Sequence, residues 1–377
     1  MLPALEEPFE RIFRTSALYP GEHLTVDVIV NLQAGALSSR NRYQQTVMTL
    51  DRLTRGLVGP VRDRRVLDLR FHQTHYVGHA RELTAALLAE EVPGRRLIVS
   101  AGGDGTHGEV LSAAATGVAH GAAEAVRGGG PSGEIESPGS DQAVHYVRLP
   151  LGTGNDGADA PDLASAVRLL LGSARFTHSG RLVVAPAGMT AFHGYNIASV
   201  GLDAYVAFLT NRLKRRFAGD LYRLLADVMT LFYERLVGVG PMRVELTDEQ
   251  GRADELAGTF LLIAMGVTGY RRYGGGKLVL PAYENLCAIE PLGLAGKLRL
   301  KSLFYRGEHV HEPNVHMRSV RRLRIHYDRK APLQIDGETV WLEEDNFPLE
   351  IQLLSPRIPV LAYEPREQRL PVAQPKS

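Results

Sequence analysis

The sequence predicts an α/β domain with a parallel sheet, followed by a β-rich domain of antiparallel, sandwich-like strands. Three observations carry that expectation. From Leu24 to Leu171, short apolar runs alternate with stretches of helical spacing, which is the rhythm of βαβ units. From Phe176 onward most of the chain reads as strands, several with strict alternation, as in Leu323, Ile325 and Tyr327 against Arg322, Arg324 and His326. Two polar, glycine-bearing turns, at 102–106 and 150–156, each follow a strand of the first half, where parallel sheets bind their ligands.

Composition fits this reading. A chain of 377 residues has room for roughly two domains. Its 44% apolar and 23% charged content is that of a soluble globular protein. A net charge of +1 argues against a nucleic-acid partner. The single cysteine, Cys287, excludes an intramolecular disulfide and fits a reducing compartment. No apolar run reaches the roughly 20 residues that span a bilayer, and Met1–Tyr19, with Glu6, Glu7 and Glu10, lacks the apolar core of a signal peptide. The expected location is therefore the cytoplasm.

In chain order, Leu24, Val26, Val28 and Val30 alternate as a first strand, and Asn31–Gly35 forms the loop after it. Asn41–Leu53, with Tyr43, Val47 and Leu50 at helical spacing, is a helix that Gly56 can stop. Leu67, Leu69 and Phe71 alternate as a second strand, and Thr74 opens the next loop. Ala80, Leu83 and Leu87 mark a helix ended by Pro93-Gly94, and Leu97–Val99 is a buried strand. Gly102, Gly103 and Gly105 then allow a sharp turn, and Thr106 with Glu109 has the spacing of a helix-opening capping box. A strand, a glycine turn and a helix N-terminus together offer backbone N–H groups to a phosphate. Asp104 adds a carboxylate that can serve a hydroxyl, a metal or a ribose. The register is neither that of the dinucleotide fingerprint G-x-G-x-x-G nor that of a Walker A loop.

Residues 117–143, rich in Gly, Ser and Pro, read as a mobile insertion. Val144–Leu149 resumes as a strand and runs into Pro150-Leu151-Gly152-Thr153-Gly154-Asn155-Asp156, whose polar groups suit a phosphate or a base. Asp162 caps a helix over Leu163–Leu171. In the second half, Arg181–Ala185, Phe192–Ser199, Met242–Leu246, Thr259–Met265, Leu298–Phe304, Val320–Tyr327, Leu333–Ile335 and Leu349–Leu353 are the expected strands. One helical stretch, 203–236, interrupts them. Leu221, Leu224, Leu225, Val228 and Leu231 are its apolar face; Arg212, Lys214, Arg215 and Arg216 form a basic run, either a solvated face or a contact with anionic lipid. Gln334-Ile335-Asp336-Gly337-Glu338 sets two carboxylates around a hairpin glycine. The domains expected are 20–175, completed by 355–365, and 176–354, with a disordered tail at 366–377.

Gly102-Gly103-Asp104-Gly105-Thr106 with Glu109, then Leu149-Pro150-Leu151-Gly152-Thr153-Gly154-Asn155-Asp156, resembles the diacylglycerol kinase catalytic-domain family, which includes bacterial lipid kinases, sphingosine kinases and ceramide kinases. Thr74 with Gly78-His79-Ala80, Asn196 with Gly201-Leu202-Asp203-Ala204, Gly274-Gly275-Gly276 with Pro281, and Asp336-Gly337-Glu338 extend the resemblance in order to Glu338. The glycine motif alone is shared with NAD kinases and phosphofructokinases. The resemblance implies a nucleotide-binding α/β domain and a β-sandwich-like domain with the active site between them. It also implies ATP as phosphoryl donor, Mg²⁺, and the hydroxyl of a diacylglycerol-like or sphingoid lipid as acceptor, in phospholipid metabolism.

By position, the resemblance makes Asn31, Thr74, Gly102, Gly103, Asp104, Gly105, Thr106, Glu109, Gly152, Thr153, Asn155 and Asp156 the nucleotide residues. Asp336, Glu338 and Asp104 become the catalytic acids. The partners implied are a lipid substrate, the inner membrane face as a peripheral contact and, as an option, a second copy of the chain. Four stretches depart from the family's pattern: Asn31–Gly35 without Pro and Ser, His107-Gly108 where an Asn precedes the Glu, Gly157-Ala158-Asp159, and Pro281–Ala288 without the Asp-Gly of a structural Mg²⁺ loop, so no protein metal ligands are assigned. Two other readings stay open: a kinase of a soluble hydroxyl substrate, as NAD kinases are, and a lipid- or nucleotide-binding regulator with impaired catalysis.

Overall fold

The computed structural model describes residues 3–57, 66–127, 144–152, 160, 162–173, 175–214, 231–273 and 276–362. The chain divides into two units, Met1–Ser179 with Arg357–Ser377, and Gly180–Pro356.

In the first unit, an N-terminal helix α1 (Pro3–Thr15) buries Leu5, Phe9, Ile12 and Phe13 in the core, an element that the sequence reading did not assign. Strands β1 (Leu24–Val30), β2 (Leu67–Gln73), β3 (Arg95–Gly102) and β4 (Val144–Pro150) alternate with helices α2 (Arg40–Thr54), α3 (His79–Ala89) and α4 (Asp104–Arg127). All the pairings are parallel, in the order β2-β1-β3-β4. The order reverses between β1 and β3, so the crevice beyond their C-terminal ends is the topological switch point. Ser39 caps α2, accepting from Arg42 N, and Asp162 caps α5 (Leu163–Arg168), accepting from Ser165 N at 2.7 Å.

Two expectations in this unit are corrected below. The first strand lies where it was expected, and all seven of its residues are buried. Its Asp27 is tolerated there because Arg70 Nη2 donates to it at 3.1 Å, His72 Nε2 lies at 2.9 Å and Arg96 forms a further ion pair. The insertion expected at 117–143 begins as helix, since α4 runs on to Arg127; its remainder, 128–143, lies outside the described residues. Thr106 and Glu109 do not form a capping box, because α4 already starts at Asp104 and both side chains are engaged elsewhere.

The second unit is an antiparallel sandwich. One sheet contains β8 (Pro241–Thr247), β9 (Ala253–Thr259), β15 (Arg322–His326) and the start of β18 (Leu349–Ala362), joined by β5 (Arg175–Ala185). The other runs β14 (Val315–Arg318), β13 (Leu286–Ile289), β10 (Leu262–Gly266), β7 (Ile197–Gly201), β16 (Ala331–Ile335), β17 (Glu338–Leu342). Leu182, Val244, Leu323 and Ile351 from the first sheet meet Val200, Ile263, Leu286 and Leu333 from the second in one core, as in a face-to-face packing.

The runs expected as single strands at 192–199 and 259–265 are each split in two. Leu298–Phe304, expected as a strand, is part of a helix, Leu294–Arg306. Its Lys-Leu-Arg-Leu-Lys alternation imitates a strand, but the residues that pack, Leu300, Leu303 and Phe304, fall at i, i+3 and i+4 and cover the outer face of the second sheet. Of the expected helix at 203–236, α6 (Leu202–Lys214) is described. Its apolar residues Leu221, Leu224, Leu225 and Val228, and Arg215 and Arg216 of the basic run, lie outside the described residues, as do Gly274, Gly275 and the tail.

β18 belongs to both units: Leu349–Gln352 pairs with β15, and Val360 pairs in parallel with Tyr146 of β4.

Candidate active site

Asn31, Thr74, Gly102 and Gly152 all lie at the C-terminal ends of the parallel strands of the first unit. Main-chain bonds knit these ends together. Asn31 N donates to Ala101 O at 3.0 Å, Thr74 N to Val30 O at 2.9 Å, Leu151 N to Gly102 O at 3.3 Å and Ala36 N to Leu151 O at 2.9 Å. The two glycine turns touch: a Cβ at Gly103 would stand 3.4 Å from Gly152 Cα. A Cβ at Gly102 would collide with Thr106, 2.7 Å from its Oγ1, whereas one at Gly105 would meet nothing within 4 Å. Gly105 therefore faces open space at the head of α4. Thr153, Asn155 and Asp156, expected on the second turn, lie outside the described residues.

The polar side chains at the start of α4 each reach a different neighbour. Thr106 Oγ1 accepts from Asn31 Nδ2 at 2.9 Å, and Asn31 Oδ1 accepts from Gln33 N at 2.9 Å. Ser100 Oγ lies 2.8 Å from His107 Nδ1. Arg148 Nη2 lies 2.7 Å from Asp104 Oδ1. Glu109 accepts from Gly78 N at 2.8 Å and Ala80 N at 3.1 Å. Gly78 is the N-cap of α3 and has no side chain to cap it, so the Glu109 carboxylate supplies the cap and meets the positive end of that helix. The side chains thus build the scaffold. What the turn offers outward is main chain: His107 N makes the first intrahelical bond, to Gly103 O at 3.2 Å, and the N–H groups of Gly105 and Thr106 precede it at the helix end. That is an anion cradle.

In the second unit, Asp336 lies on the two-residue turn between β16 and β17, and Glu338 is the first residue of β17. Asp336 (φ 50) and Gly337 (φ 97) are both left-handed, as a primed hairpin turn requires. The Asp336 carboxylate accepts three main-chain N–H groups, from Tyr195 at 2.6 Å and from Asn196 and Ile197 at 2.9 Å each. It thereby clamps the turn to the start of β7. Glu338 is exposed, and among the described residues no hydrogen bond or ion pair of its side chain is found.

A second chain of bonds enters the same turn. Gly337 N donates to Gln334 Oε1 at 3.0 Å, Gln334 Nε2 to Ser199 Oγ at 2.9 Å, and Ser199 Oγ to Asp203 Oδ2 at 2.6 Å. Burial pushes the Asp203 carboxyl up to about 6, against the opposing pull of Ser199, the Ala204 N–H and the Lys277 charge.

Residues 25–173 match the family model of the diacylglycerol kinase catalytic domain. Over these residues the chain is similar to a diacylglycerol kinase catalytic domain. A diacylglycerol kinase of Staphylococcus saprophyticus subsp. saprophyticus is 26% identical over 278 residues, covering 71% of this chain and 77% of that one. A protein of Bacillus anthracis str. Sterne, named provisionally as a diacylglycerol kinase, shares the fold with a TM-score of 0.52 at 18% identity, over 91% of this chain and 98% of that chain. A diacylglycerol kinase of the same organism has a TM-score of 0.50 at 15% identity, over 91% and 97%. The fold is thus like that of these structures.

In the first unit, sequence reasoning missed Ser100 and Arg148, and in the second unit it gave no role to Ser199, Asp203 or Gln334. Arg148 leaves a trace in the sequence: it is a charge inside the strand Val-His-Tyr-Val-Arg-Leu-Pro, where burial demands a partner.

Proposed function

We propose that this protein is an ATP- and Mg²⁺-dependent lipid kinase that phosphorylates a hydroxyl of a diacylglycerol-like or sphingoid lipid. The observation that carries the reading is the cradle at the switch point, where the two glycine turns lie side by side and Gly105, at the head of α4, faces open space. The residues present fit a nucleotide polyphosphate. Gly105 and Thr106 would receive it on main-chain N–H groups, with Asn31 and Glu109 holding the turn from behind. Magnesium would come on the phosphates, as it commonly does; among the described residues no cluster of three ligating side chains forms a separate cage. Bound MgATP supplies the transferable phosphoryl group and neutralises its charge.

The remaining task is to take the proton of the acceptor hydroxyl, and we assign it to the pair Asp336 and Glu338. Glu338 is exposed and adaptable; Asp336 both carries charge and fixes the turn. A lipid acceptor implies work at a bilayer surface, with contact from outside: among the described residues no helix is long and apolar enough to cross a membrane.

The test offers purified protein a panel of diacylglycerols, sphingoid bases and soluble alcohols, NAD included, with Mg²⁺ and γ-labelled ATP. Label in a lipid phosphate is the expected result. Label only in a soluble acceptor would replace the lipid with a polar substrate. Intact ATP binding without transfer to any acceptor would make the protein a binding regulator.

A further inference from the structure

Four polar side chains meet beneath the first glycine turn. Ser100 and Arg148 are register partners on β3 and β4, so they leave the sheet on one face. Asp104 and His107 lie three residues apart on α4, on one face of that helix. The two sets close on each other as Ser100–His107 at 2.8 Å and Arg148–Asp104 at 2.7 Å.

Arg148 is 2% exposed, and its Nε has no hydrogen-bond partner among the described residues. A guanidinium cannot shed its proton, so the charge stays and Asp104 answers it. Asp104 is 25% exposed and sits inside the turn that presents N–H groups to phosphate. Left uncompensated there, its carboxylate would repel a polyphosphate. Arg148 is too deeply buried to touch the ligand itself.

The geometry points to Arg148 as a positioning residue for the donor phosphates: from within the sheet it holds and neutralises Asp104, so that the glycine turn keeps a positive face toward an incoming polyphosphate. This rests on the nucleotide reading above and adds to it a residue that works only through Asp104.

The test is titration calorimetry with MgATP and with inorganic tripolyphosphate, alongside steady-state kinetics, on the wild type, R148K, R148M and the double variant D104N/R148M, each checked for a native melting transition. R148M should weaken both ligands on the order of tenfold to a hundredfold, as the loss of a charge-assisted contact does, and should raise KM for ATP far more than it lowers kcat. R148K, which keeps the charge, should retain most of the affinity. In calorimetry the double variant should bind both ligands about tenfold more tightly than R148M, because the repelling carboxylate leaves with its partner.

R148M binding like the wild type, or D104N/R148M binding as poorly as a folded R148M, overturns the inference and leaves the nucleotide reading standing. A wild type that binds neither ligand overturns that reading first, and the inference with it. Should R148M fail to fold, the double variant decides alone: affinity within about tenfold of the wild type supports the inference, and a greater loss overturns it.

Discussion

The turn at 102–106 in the first unit and the turn at 336–338 in the second each set an acid beside glycine at the end of a strand, and they are wired in opposite senses. In the first, side chains are consumed: Asp104, Thr106, His107 and Glu109 all bind scaffold, and main-chain N–H groups remain to face outward. In the second, main-chain N–H groups are consumed by Asp336, and the Glu338 carboxylate faces outward. One turn presents donors to an anion; the other presents an acceptor to a proton. A phosphoryl transfer to an alcohol asks for both kinds of surface.

The largest effect should come from the acceptor turn. Changing Glu338→Gln or Asp336→Asn should, for the residue that takes the proton, lower kcat by roughly 10²–10⁴-fold. Retained turnover in both variants, measured with labelled ATP, would break the comparison. Stability separates the two acids. Asp336→Ala strands three N–H groups and should cost about 3 kcal/mol, read from urea unfolding. Glu338→Ala, on an exposed side chain, should stay within about 0.5 kcal/mol.

The third effect concerns Asp203, which reaches Gly337 through Ser199 and Gln334. Burial lifts its carboxyl from 3.8 to about 6, so its neutral form favours the fold. That stability is fully present below about pH 4 and is lost as pH rises through 6. Because the residue is part-exposed, we expect a fall of about 2 kcal/mol across that window, flattened in Asp203→Asn. An unaltered pH profile in the variant would take Asp203 out of the acceptor turn's support. The smallest loss belongs to the first turn: Glu109→Gln, which weakens the borrowed cap of α3, should cost about 1 kcal/mol, above the near-neutral Glu338→Ala.

Much of this architecture was legible. The strand–helix rhythm of the first unit, its glycine turns and the alternating strands of the second are local patterns, and the structure carries them. What failed did so where two periods compete or where the partner is distant. The 297–301 alternation reads as a strand until Leu300, Leu303 and Phe304 are seen to pack as a helix. Glu109 reads as a cap for its own helix, yet it caps α3, whose Gly78 lies 31 residues away in sequence. The Arg148–Asp104 pair joins a strand to a turn across a long intervening segment, and no spacing rule reaches that far. Buried Asp27 of β1 is likewise matched by cations on other strands, which its own segment does not reveal.

The dual membership of β18 has a bearing on biosynthesis. A ribosome delivers Tyr146 long before Val360, yet the two are neighbours in the finished sheet. The first unit must therefore wait, one edge unzipped, until β18 emerges. A nascent chain halted before residue 357 would expose that flank to chaperones and proteases, and release of the final segment would complete both units in a single closing step.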